Sequence, residues 1–105
     1  MNGKSTLVWR SGDCRPVLAT NKSPADLVVS IGVPTFRDRD DLDWFEGAAL
    51  TIDGFGPVLI MKHDNNPSGL TALYVDFGHD PFEAEERLID YFSLLPVEVA
   101  WRLSA

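Results

Sequence analysis

The alternation of apolar and polar positions changes period along this chain, and each change predicts an element. Ala48, Leu50 and Ile52 alternate with Ala49, Thr51 and Asp53, the two-residue repeat of a strand with one buried face. Val58 to Met61 is apolar at every position, as a central strand covered on both faces requires. Leu73, Val75 and Phe77 alternate with Ala72 and Tyr74 in a third strand, Leu70 to Phe77. Val97, Val99, Trp101 and Leu103 alternate with Glu98, Ala100 and Arg102 in a last one. Between them, Gly54-Phe55-Gly56-Pro57 and Asp64 to Gly69 supply the turns, since glycine, asparagine and proline accept the backbone angles that reversals need.

At residue 81 the period becomes helical. Ala84, Leu88, Phe92 and Leu95 fall on one face, widened by Ile89 and Tyr91. Asp80 stands at the N-cap, Pro81 at the first helical position, and Glu83 completes a capping box. Glu83 and Arg87 are spaced to pair on the wet face. Pro96 forbids continuation, so a helix over about 81–94 is predicted.

The first third is less regular. Leu7 to Arg10 and Val17 to Ala19 read as short strands, and Leu27 to Val33 is β-branched enough for another. Thr35 to Glu46 is a polar, acidic connection with room for a turn of helix or a hairpin edge. Serial antiparallel strands, one helix and a closing strand predict an α+β fold: a sheet of about five to seven strands with the 81–94 helix packed on one face. With 105 residues, one domain over 1–105 is expected.

Charge narrows the function. Sixteen acidic residues against nine basic ones give −7, which excludes the clustered lysine and arginine of a nucleic-acid binder. The sign changes along the chain. Residues 1–37 hold five basic and two acidic groups, giving +3, whereas residues 38–105 hold four basic and fourteen acidic, giving −10. A single cysteine, Cys14, forms no intrachain disulfide, and neither a signal peptide nor a membrane span is legible. Cytoplasmic residence is therefore expected.

Candidate chemistry fails on spacing. Gly3-Lys4-Ser5-Thr6 lacks the earlier glycine of a phosphate loop, and Gly54-Phe55-Gly56 lacks a third glycine and a following helix. Neither register of the acidic run starting at Asp38 or Asp41 places calcium ligands correctly. One cysteine and two distant histidines do not make a zinc site. His63-Asp64 and His79-Asp80 offer titrating pairs for acid–base work, with a turn residue and a helix cap as the simpler roles of the two aspartates. No cofactor or metal is expected.

Five carboxylates within nine residues remain: Asp38, Asp40, Asp41, Asp43 and Glu46 crowd around Trp44 and Phe45. Charges of one sign steer association and a large ring anchors it. Asp38, Asp40, Asp41, Asp43 and Glu46, with Trp44, are therefore the predicted partner-binding residues. Packing of Trp44 and Phe45 in the core is the alternative, and the Glu83–Asp90 helix face is the other acidic surface.

In size, acidity and layout, with the stretch Asp41-Leu42-Asp43-Trp44-Phe45-Glu46 running into Ala48–Asp53 and the Asp80–Leu95 helix, the chain resembles the small cytoplasmic immunity proteins of bacterial contact-dependent growth inhibition and other polymorphic toxin systems. The resemblance implies a non-enzymatic inhibitor that binds a cognate toxin domain, often a basic nuclease, and carries over no individual residue. A small enzyme or ligand-binding domain using His63 or His79, and a subunit assembling through a free strand edge, are the other expectations.

Overall fold

Among the described residues, six strands and two helices follow one another as β1 (Cys14–Thr20), α1 (Pro24–Val28), β2 (Phe36–Arg39), β3 (Trp44–Ile52), β4 (Gly56–His63), β5 (Thr71–Asp76), α2 (Pro81–Tyr91) and β6 (Val99–Arg102). The computed structural model describes residues 14–41 and 43–105; the strand predicted at Leu7 to Arg10 lies outside them. The strands form one antiparallel sheet in the order β2-β3-β4-β5-β1-β6. This is the predicted α+β architecture, with α2 as its main helix.

Strands β2 to β5 form a meander whose turns do what their residues allow. Gly54 and Gly56 take φ of 76° and 122°, angles that side chains with a Cβ rarely adopt. β1 then inserts between β5 and β6. Its register against β5 shifts between Pro16 and Leu18, where proline has no N–H to give the ladder.

Both helices pack on the same face. Leu27 and Val28 of α1 and Ala84 and Leu88 of α2 join Ala48, Ile52, Val58, Ile60, Leu73 and Val75 in one core cluster. Leu88 is fully buried, and each such side chain contributes about 1.5–3 kcal/mol through area removed from water. On the opposite face Phe45 and Met61 are buried, and Phe45 meets Phe36 edge-on at 6.0 Å.

Strands β1, β3 and β4 run longer than the expected residues 17–19, 48–53 and 58–61, with β3 starting at Trp44, and three elements differ more. Leu27 to Val33 is not a strand: α1 and a 3-10 turn over Val29–Ile31 occupy it. Ser23 caps that helix by accepting a hydrogen bond from the Asp26 N–H, with Pro24 in its first turn and Gly32 at φ 72° closing the 3-10 turn. Local capping overrides the β-preference of the valines. Helix α2 stops at Tyr91 instead of Leu94 because Ser93 turns left-handed at φ 54° and the Leu94 N–H bonds back to the Ile89 carbonyl at 2.9 Å, a Schellman-type ending. The last strand is shortened by a 3-10 turn at Pro96–Glu98.

Candidate functional site

The acidic segment forms the β2–β3 hairpin, and strand alternation divides it between two faces. Phe45, on the face opposite the helices, is covered by Phe36 and His63 and is only 7% exposed, while Trp44, on the other face, stands 48% exposed. The two rings therefore do not act together. Phe45 packs in the fold and Trp44 faces solvent.

The carboxylates divide as well. Asp40 Oδ2 lies 2.6 Å from His63 Nε2, and Asp40 Oδ1 accepts from the Asp43 N–H at 3.1 Å. Asp43 accepts from the Asn65 backbone N–H at 2.6 Å and its side-chain amide at 3.0 Å. That backbone bond is the main reason the Asp43 carboxyl is held below its ordinary range. Asp40 and Asp43 thus tie the hairpin turn to the end of β4. Glu46 lies in register between Arg37 of β2 and Lys62 of β4, so cations flank it on both sides. Arg37 itself bonds Asp64 at 2.5 Å, which raises its pKa further above an already basic value.

Of the predicted carboxylates, Asp38 and Asp41 are exposed and make no ion pair among the described residues. By register Trp44 shares a face with Arg39, while Asp38 lies on the other face opposite Phe45, so the exposed surface around Trp44 has Asp41 in the adjacent turn but not Asp38. Arg37 and Arg39 lie alongside, so it is less acidic than the sequence count suggests.

Helix α2 carries the second acidic surface. Glu83, Glu86, Arg87 and Asp90 share one stripe by helical spacing. The predicted Glu83–Arg87 pair does not form among the described residues. Arg87 instead donates to the Asp53 carbonyl at 2.9 Å and lies 5.6 Å from the Phe55 ring centre. Phe55 is stacked on His79 at 4.1 Å and 9°. Together with Phe82, 56% exposed, these groups border an open groove of about 530 Å³.

Behind the stripe lies a buried carboxylate that sequence reading passed over. Glu85 is wholly buried and accepts from Arg102 Nε at 2.8 Å, the Ser104 N–H at 2.8 Å and the Ser104 hydroxyl at 2.6 Å. Burial opposes its charge, but the bonds from Ser104 and Arg102 outweigh it and lower the pKa. Its position directly behind Ala84 on the helix was the available signal; the C-terminal partners were not.

The histidines are held in different ways. His63 pairs with Asp40 beside a cavity of about 300 Å³ bordered by Asp43, Asn65, Asn66 and Pro67. His79 is stacked on Phe55. Cys14 is level with Asp76, whereas Met61 is level with Ala72. His63 therefore lies about 20 Å along the strands from Cys14 at ~3.3 Å per residue, and the two form no dyad.

No family model, curated protein or solved structure matches this chain. Among the described residues no helix is long and apolar enough to cross a membrane, and no group of three or more His, Cys, Asp or Glu side chains is placed to hold a metal ion.

Proposed function

We propose that this chain is a non-enzymatic, cytoplasmic binding protein that neutralises a basic protein partner, as an immunity protein neutralises its toxin domain. The observation that carries the reading is the presence of exposed rings near carboxylates that make no ion pair among the described residues. Trp44 and Asp41 lie at the end of the β2–β3 hairpin with Asp38 on its reverse face, and Phe82 and Glu83 open helix α2 with Asp90 two turns further on. Carboxylates left unpaired in the free protein keep their full field for steering, and a ring supplies desolvated contact once the partner arrives. A basic nuclease fits this chemistry because its phosphate-binding surface is cationic.

The test is whether the neighbouring reading frame encodes a basic toxin-like domain, with co-expression of the two and binding calorimetry at low and high salt; a neighbouring frame without one counts against the proposal. Expected are relief of growth arrest, a one-to-one complex and affinity that falls with salt. Replacing Asp38 and Asp41 by lysine should weaken binding at least ~tenfold, about 1.4 kcal/mol, without unfolding the hairpin. Failure of the wild-type chain to bind that domain or to relieve arrest overturns the proposal.

A second reading has its own observation. The 2.6 Å Asp40–His63 pair beside an open cavity is the arrangement that orients an imidazole for acid–base work. The three hydrogen bonds that Asp40 and Asp43 accept from Asp43 and Asn65 favour a structural role in closing the hairpin. Assembly through a strand edge is opposed on the β2 side, where Arg37, Asp38 and Arg39 charge the edge.

A further inference from the structure

We propose that the groove between the β3–β4 turn and helix α2 is a receptor for an arginine side chain of the basic partner. This rests on the partner-binding reading above and locates one anchor within it. The groove exists because the turn is drawn close to the helix. A Cβ at Gly54 would lie 3.6 Å from Arg87 Nη2, and one at Gly56 would lie 3.9 Å from His79 Nε2. Phe55, flat against His79, then forms a stiff aromatic wall, and Phe82 stands at the other side with more than half its surface in water.

The electrostatics select a cation. Arg87 is the groove's own positive group, held against the Asp53 carbonyl and the Phe55 ring, and its charge is outnumbered by the lining carboxylates Glu83, Glu86 and Asp90. Glu86 is committed to Arg102 at 2.6 Å. Glu83 and Asp90 make no ion pair among the described residues, and they bracket the groove about 10 Å apart at 1.5 Å rise per residue. An incoming cation therefore meets unpaired carboxylates at both ends.

The rings select a guanidinium in particular. Two guanidiniums already lie over aromatic faces in this corner, Arg87 over Phe55 and Arg102 over Phe82 at 5.5 Å. Neither face of Phe55 is left for a ligand, but Phe82 retains an exposed one. A planar guanidinium can lie on that face and direct its edge donors to Glu83, which a lysine ammonium cannot do together, while Asp90, about 12 Å along the helix from Phe82, adds only its field. A groove of about 530 Å³ admits the side chain with its flanking backbone.

The test is a nuclear magnetic resonance titration of the full chain with Nα-acetyl-arginine amide, compared with Nα-acetyl-lysine amide and uncharged Nα-acetyl-norleucine amide. Expected is binding with a Kd of about 1–10 mM and shifts confined to Gly54, Phe55, His79 and residues 82–90. Arginine should bind at least ~threefold tighter than lysine, and norleucine should not shift these resonances. Replacing Glu83 by Gln and Asp90 by Asn, which leaves the Asp80 cap in place, should reduce arginine affinity at least ~fivefold. Phe82→Leu should reduce it at least ~twofold. Shifts spread equally over the β2–β3 hairpin, equal binding of lysine or norleucine, or an unchanged Glu83/Asp90 variant overturns the assignment. No partner protein enters this titration, so it can fail while the partner still binds through Asp38 and Asp41, and the partner assay can fail while the groove binds arginine.

Discussion

Replacing Glu85 by alanine removes the acceptor that holds the C-terminal residues against α2, and its cost follows from the geometry. The carboxylate is fully buried and takes three hydrogen bonds, from Arg102 Nε, the Ser104 N–H and the Ser104 hydroxyl. Breaking a buried ion pair costs about 3–5 kcal/mol when the partner charge is stranded. Here Arg102 is 26% exposed and keeps Glu86 at 2.6 Å, and Ser104 is exposed. Both donors therefore recover water or another acceptor. The expected loss is about 2–3 kcal/mol, a fall in Tm of roughly 10–20 °C for a domain of this size. Thermal and urea denaturation followed by circular dichroism measures it. A Glu85→Ala variant within about 0.5 kcal/mol of wild type refutes the view that this cluster fastens the C-terminus.

The same residue gives stability a pH dependence of definite sign. Its folded pKa lies below the ordinary 4.5, so between those values the unfolded chain binds the extra proton and stability rises with pH. The contribution is complete above about 4.5 and is lost as pH falls through the folded value. Glu85→Gln should therefore be less stable than wild type at neutral pH and lose less on acidification. Asp43, depressed below its ordinary 3.8 by the Asn65 N–H, keeps some acid sensitivity in that variant. Because Arg102 also lies over Phe82, Glu85 positions one wall of the α2 groove.

Two further substitutions probe the frame that presents the two surfaces. Gly47→Ala places a Cβ 3.0 Å from the Ile60 carbonyl and 3.0 Å from the Phe45 ring; overpacking of this kind should cost about 1–3 kcal/mol in urea denaturation, and a neutral result would mean that β3 and β4 separate freely. Asp80→Ala removes the acceptor for the Glu83 N–H at 3.0 Å and should cost about 1 kcal/mol, with amide exchange accelerated in the first turn of α2 and little changed in β4.

The elements legible in the sequence were those whose signals are local. The α2 start was readable because Asp80, Pro81 and Glu83 occupy adjacent cap positions, and β3 to β5 because alternation and glycine turns need no distant partner. Ser23-Pro24 carried an equally local cap for α1, obscured by the β-branched residues after it. The end of α2 was not readable, since a left-handed serine rather than glycine closes it.

Local patterning along the chain sets the α+β class, the meander, the capped helix and the excess of negative charge on residues 38–105. Strand order and register set which of those charges find partners among the described residues. Asp40 finds His63 across 23 residues, Asp43 finds Asn65, and Glu85 finds Arg102 and Ser104. Those pairings depend on strand order and register, which local patterning does not encode. The same register separates Trp44 from Phe45 by one step of the pleat, leaving one ring buried and the other half exposed.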